Sequence, residues 1–186
     1  MTLAKSAACP LSGKIIGIDP GTSESAWVMV RATTPLAHAK ERNSELMDSL
    51  RGGFNPADLV AIEMIASYGM PVGREVFETC LLIGRMVEAW EARGGTVRLV
   101  YRREVKLFHC ETSRANDANI RAALLDRFGP GREVAVGTKG KPGPLYGIKG
   151  DEWSALAVAL TAEGKPVEPP IFRAAPAVES LAIKPF

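Results

Sequence analysis

The six residues LVAIEM, Leu59 to Met64, form an apolar run interrupted only by Glu63. A strand with one wet face alternates apolar and polar side chains, whereas a run of this kind is the pattern of a strand buried on both faces. Such a strand needs packed layers on either side, and the chain supplies candidates for them. Residues 74–93 place Val76, Phe77, Cys80, Leu81, Gly84, Val87 and Trp90 at helical steps before Gly94-Gly95. TVRLVY at 96–101 reads as a further strand, 116–128 as a helix ended by Gly129-Pro130, and 151–162 as a final helix. Upstream, KIIGID at 14–19 stops at Pro20-Gly21, and SAWVMVRA at 25–32 follows closely enough for an antiparallel hairpin. A weaker strand is expected at 35–40 and a short amphipathic helix at 41–51, closed by Gly52-Gly53. Hairpin strands followed by strands alternating with helices predict an α/β fold, a mixed sheet flanked by helices.

A length of 186 residues leaves room for one such domain. Its expected limits are 14–164, with a loose leader at 1–13 and a Pro-rich tail at 165–186. The formal net charge of +2 neither demands nor excludes a polyanionic partner, so any such partner is held by a local basic patch. Cys9, Cys80 and Cys110 are odd in number and unevenly spaced, unlike a disulfide framework or metal ribbon, and fit a reducing cytoplasm. No secretory signal and no membrane-spanning run is visible.

The chemistry is expected where carboxylates close buried elements. Asp19 ends an apolar strand, Glu63 sits near the end of another, and Asp151 opens the last helix. Each has an ordinary structural reading: a turn opener, a partner for an arginine, a helix cap. Three that converge would instead repel one another and call for a cation, and oxygen-only ligands suit hard ions such as Mg²⁺ or Mn²⁺. Phosphodiester hydrolysis is the chemistry such a site performs.

The blocks IIGIDPGTSESAWV, LVAIEMIASYGMPVGREVFETCLLIGRM, VKLFHCETSRANDANIRAALLDRFG and GDEWSALAVAL, in this order, resemble the RuvC-type Holliday-junction resolvases, in particular their phage-like variants. The likeness spans most of 14–162. It implies a ribonuclease H-like fold, a mixed five-stranded sheet flanked by helices. It also implies a homodimer that cuts four-way DNA junctions with Mg²⁺ or Mn²⁺, two ions per site, in a bacterial or phage-infected cell. By motif, Asp19, Glu63 and Asp151 match the family's acidic ligands. The family's second acid on the last helix falls at Ser154, whose hydroxyl lies on the same helical face but supplies no charge. Glu152 points about 100° away around the helix and is the poorer substitute. In the block before the penultimate helix, Glu111 replaces a small residue and Asn116 a common lysine.

Arg74, Arg114, Lys139, Lys141 and Lys149 are candidates for phosphate contact, the lysines within or just after TKGKPGPLYG, and Arg121 is a weaker one. Solvated loops carry such charges too. Tyr68, in a Gly/Pro-bearing loop, could stack on an unpaired base or pack on its own loop. His38 and His109 read as structural or surface residues, and Trp27, Trp90 and Trp153 as core anchors. By the same resemblance, the helix at 74–93 carries the expected dimer surface. Two other readings stand beside the junction nuclease. One is a weakened or inactive junction-binding relative, because of Ser154. The other is a sugar-kinase-like ATPase, which shares a strand-Asp-x-Gly turn but needs two such domains and a longer chain.

Overall fold

In the computed structural model, residues 13–67, 69 and 71–163 are described. The expected leader, except Gly13, the tail and Tyr68 lie outside them. Five strands form one sheet: β1 (Lys14–Asp19), β2 (Glu24–Arg31), β3 (Thr34–Arg42), β4 (Leu59–Met64) and β5 (Thr96–Tyr101). Their order is β3-β2-β1-β4-β5. The first three are antiparallel neighbours, while β4 runs parallel to both β1 and β5. This is the expected mixed five-stranded sheet flanked by helices.

Alternation along the strands sorts the core into two layers. Ile16, Ile18, Val60 and Ile62 face one side, where they meet Leu46, Met47 and Leu50 of the segment after β3 and Ile83, Met86, Val87 and Trp90 of α2 (Arg74–Glu91). Ile15, Val28, Val30, Leu59 and Ala61 face the other, against α6 (Glu152–Ala162), which is buried almost all round. LVAIEM is therefore sandwiched between helices, as its composition requires. The closest approach is at Gly17, where a Cβ atom would lie 2.2 Å from the Ala155 carbonyl oxygen and 2.7 Å from the Ala159 side chain. Gly17 and the small residues of α6 let helix and sheet touch backbone to backbone.

Several boundaries differ from expectation. The strand expected at 35–40 extends to Arg42, so the helix expected from 41 begins later, as α1 (Asn43–Asp48), and ends in a π-helical turn, Ser49–Gly53. The side chain of Asn43 donates to the Gly21 carbonyl and accepts from Ser25, tying this corner to the β1–β2 turn. A helix not foreseen, α3 (Arg102–Cys110), follows β5 without a loop; only Val105 in it is fully buried, and it opens RREVK, four charges in five residues. The next helix is α4 (Asp117–Phe128), capped by Asn116, whose side chain accepts from the Asn119 backbone. That capping role accounts for Asn116. The loop before α6 contains a short helix, α5 (Arg132–Ala135), and a hairpin, β6 (Gly137–Thr138) with β7 (Lys141–Pro142).

Trp90 and Trp153 are core anchors, while Trp27 is half-buried, set edge-on to Phe54 and donating to Glu41. His109 hydrogen-bonds the Ala157 carbonyl oxygen at 3.0 Å, and His38 lies 3.1 Å from the buried Glu152 carboxylate. Both are structural. Among the described residues no helix is long and apolar enough to cross a membrane.

Candidate active site

The strand register brings the first two carboxylates together. β1 and β4 pair with Gly17 opposite Ala61 and Ile18 opposite Ile62, so Asp19 and Glu63 follow at the same edge of the sheet. Both belong to the alternation that faces α6. Glu63 in turn lies opposite Val100, and Arg102 follows two residues later as β5 turns into α3. The turn preceding α6 sets Asp151 at the same edge, with Ser154 one helical turn further. Asp19, Glu63, Asp151, Ser154, Arg102 and Asp117 line one cavity of about 430 Å³. Four of these were expected from sequence; Arg102 and Asp117 were not.

Burial dominates the electrostatics of Asp19. Desolvation, reinforced by the neighbouring Glu63 and Asp151, pushes its carboxyl from 3.8 up to about 7, although Arg102 and a hydrogen bond from Ser154 oppose the rise. Glu63 is also raised, by burial first, with Arg102 lowering and Asp117 raising it. The Arg102 guanidinium stands 3.4 Å from Glu63 and also donates to Asp117. Burial works against its charge, but the two carboxylates outweigh that and raise its pKa. Lys40, from the extended β3, reaches over to donate to Asp151 at 2.8 Å. Glu63 thus does pair with an arginine, and it does so inside the cavity.

Whether a metal suits this donor set can be judged from its chemistry. The ligands are oxygen-only, and a carboxyl held near 7 by burial and like charge would be relieved by a divalent cation. Asp19, Glu63, Asp151 and Ser154 would hold it. Among the described residues, however, no three His, Cys, Asp or Glu side chains are grouped closely enough for one ion. Arg102 and Lys40 hold Glu63 and Asp151 instead.

The remaining sequence candidates lie outside this cavity. Arg74 is exposed at the start of α2 and bonded to Glu78 at 2.6 Å, and Arg114 is exposed between α3 and α4. Lys139, Lys141 and Lys149 are exposed on the β6–β7 hairpin and the turns after it. Arg121 neither projects freely nor reaches the cavity: its guanidinium lies 4.7 Å from the centre of the Trp153 ring. Glu152 is buried, accepts from the Lys149 backbone and points away from the cavity lining. A second cavity, about 280 Å³, shares Arg102 and adds Arg103, Lys106 and Ser113, a basic neighbour that sequence reading missed.

No family model matches the chain, and a comparison with curated proteins gives no match. Among solved structures, that of Thermus thermophilus RuvC is 16% identical, with a TM-score of 0.55 over 80% of this chain and 92% of that one. The structure of T. thermophilus RuvC in complex with a Holliday junction substrate matches with the same identity and TM-score, over 80% of this chain and 91% of the other. This chain has a RuvC-like fold. The mixed five-stranded sheet with helices on both faces is the ribonuclease H-like arrangement expected of RuvC. At 16% identity the likeness speaks to the fold, and the chemistry has to be argued from the site.

Proposed function

We propose that the protein is a divalent-metal-dependent endonuclease that resolves four-way DNA junctions, or related branched DNA, by phosphodiester hydrolysis. The observation that carries this reading is the convergence of Asp19, Glu63, Asp151 and Ser154 on one cavity of a RuvC-like fold. The junction named in the RuvC complex is the nearest guide to the substrate class. Bound to these oxygens, Mg²⁺ or Mn²⁺ would supply Lewis acidity toward a phosphodiester and a water of lowered pKa. Asp19 supplies a carboxylate that ionises fully when positive charge arrives. The Ser154 hydroxyl donates to Asp19 and fixes its orientation, while Arg102 fixes Glu63.

The basic cavity of Arg103 and Lys106 would take a phosphate next to the scissile one. Arg114, Lys139, Lys141 and Lys149 are exposed and would extend the backbone path as salt-screened contacts, Arg74 would join them on leaving Glu78, and Tyr68 would stack on a base opened at the branch. A homodimer suits two symmetry-related scissile strands. Its surface is assigned to α2, where Phe77 and Leu81 stand 60% and 71% exposed, one helical turn apart. The setting is the reducing interior of a bacterial or phage-infected cell.

The test is incubation of synthetic four-way junctions, forks and linear duplexes with the full chain in Mg²⁺ or Mn²⁺, alongside Glu63→Gln. Cleavage of branched but not linear DNA, with Glu63→Gln binding the junction uncut, is the expected result. Junction binding without cleavage in either metal would favour an inactive relative, a reading supported by the uncharged Ser154 and by the hold of Arg102 on Glu63. ATP turnover without any action on DNA would reject both.

A further inference from the structure

Arg102 stands in the wall between two cavities. On one side it lines the acidic cavity with Glu63 and Asp117, and on the other it lines the basic cavity with Arg103, Lys106 and Ser113. Arg102 and Lys106 lie one helical turn apart on α3. The chain leaving that helix turns back, so that Ser113 closes the basic cavity and Asp117, the first residue of α4, meets the Arg102 guanidinium. The two sides differ in how their charges are met. Glu63 and Asp117 share Arg102, whereas neither Arg103 nor Lys106 has an ion pair or a hydrogen bond among the described residues. Two neighbouring cations without a counter-charge, in a concavity of about 280 Å³ that also offers a hydroxyl donor, make a site for an anion.

We infer that the basic cavity holds a backbone phosphate of a DNA strand and that Asp117 is the phosphate's intramolecular competitor for Arg102. The inference rests on the nuclease reading above and adds to it a contact that changes when the strand arrives. Burial decides which bond yields. The Glu63 side chain is 14% exposed and that of Asp117 is 83% exposed. An ion pair with so exposed a carboxylate is screened and worth little, while taking the partner from a buried one is costly. The guanidinium therefore leaves Asp117 for the phosphate and keeps Glu63. Asp117 is not stranded by this, because water and the N-terminus of α4 both favour its charge. A planar fork of donors suits the exchange, since one edge can stay on a carboxylate while another turns to a phosphate oxygen.

The decisive measurement is the affinity of the full chain for a labelled oligothymidylate in EDTA, from fluorescence anisotropy over a range of salt concentrations. Arg103→Gln with Lys106→Gln should weaken binding about tenfold or more at low salt and reduce the salt slope by about one. Neither side chain makes a bond that the fold would miss. Asp117→Asn should tighten binding about two- to fivefold, the factor an exposed ion pair is worth. In an Arg102→Gln background the same replacement should change nothing. Equal tightening in both backgrounds would show that Asp117 repels the strand directly and would overturn the competition. Unchanged affinity in the Arg103→Gln, Lys106→Gln protein would overturn the site. Should Arg102→Gln not fold, Glu63→Gln with Arg102→Gln removes both buried charges and serves as the background. Displacement of the oligomer by millimolar inorganic phosphate, beyond that by chloride at equal ionic strength, would assign the cavity to free phosphate and overturn the backbone reading. The two readings fail separately. These shifts in affinity without junction cleavage in Mg²⁺ or Mn²⁺ would sink the nuclease reading and leave the phosphate site standing, whereas cleavage with unchanged affinities would do the reverse.

Discussion

Asp19→Asn should make the metal-free protein more stable above neutral pH. In the folded chain the Asp19 carboxyl titrates at about 7 rather than 3.8, because burial, then Glu63 and Asp151, disfavour its ionised form. The unfolded state therefore releases this proton first, and binds fewer protons than the folded state between about pH 4 and 7. Stability falls as pH rises through that window and stays low above it. Each pH unit between the two values is worth about 1.36 kcal/mol, so the cost is on the order of 4 kcal/mol at pH 8 and roughly 1–2 kcal/mol at pH 5. Asparagine removes the charge while keeping the shape. Part of the gain is lost to an amide that must find its own partners, which leaves roughly 2–4 kcal/mol at pH 8. The assay is urea unfolding in EDTA at pH 8 and pH 5, at one protein concentration, comparing variant with wild type. His109, whose pKa burial lowers, destabilises the fold in the opposite sense as pH falls, but it is common to both proteins and cancels. Mg²⁺ should stabilise wild type by mass action, by about 2.7 kcal/mol at a hundredfold excess over its dissociation constant, and leave Asp19→Asn unmoved. A variant no more stable than wild type at pH 8, with an unchanged denaturant slope, would refute the electrostatic account of the site.

Asp151→Asn should lower junction cleavage more than about tenfold, the effect of losing one charged contact worth ~1.5–3 kcal/mol, while Ser154→Ala keeps most of it; equal rates for both variants in single-turnover assays would misplace the α6 ligand. Ser154→Asp should tighten Mn²⁺ binding measured by dialysis, and weaker binding would argue that the hydroxyl itself is needed. If the chain dimerises as proposed, Leu81→Asp should convert the dimer to monomer in sedimentation with little change in thermal stability, since Leu81 is 71% exposed, and an unchanged dimer would move the interface off α2. Glu111→Gly should raise stability by about 0.5–1 kcal/mol in thermal melts, because Glu111 closes α3 in the left-handed region at φ 56°, where glycine is unstrained; a loss would mean its side chain makes a compensating contact.

The carboxylates were legible because each one interrupts a pattern. Asp19 and Glu63 end β-branched runs whose parity is fixed by burial, so knowing the strands are parallel neighbours is enough to put both on one face. Asp151 was legible as the residue opening the most apolar helix. Arg102 left no such trace. Its segment, RREVKLFHC, has Val105 as its one fully buried residue, with Leu107 and Phe108 near 43% and 42% exposed, and its opening of four charges in five residues looks like a charged loop. Lys40 was placed at the end of a strand that in fact runs on to Arg42, which turns Lys40 into an interior residue able to reach Asp151. Both omissions are cations whose role depends on which carboxylate the register sets opposite them, and a single chain read linearly contains no such information.

The position on which the site's geometry depends most is not an ionisable one. α6 can deliver Asp151 and Ser154 to the edge carrying Asp19 and Glu63 only if its axis lies close against β1, and the contact that permits this is Gly17 against Ala155 and Ala159. A methyl group at Gly17 would meet the helix backbone at 2.2 Å, too near for any rotamer to relieve, so helix or strand would have to move. Within IIGID the glycine faces the same side as the aspartate two residues later. The motif thus encodes a cavity carboxylate and the room for its partner helix in three consecutive letters, which is why the Gly17-Ile18-Asp19 block points to a site more strongly than an aspartate at a strand end does alone.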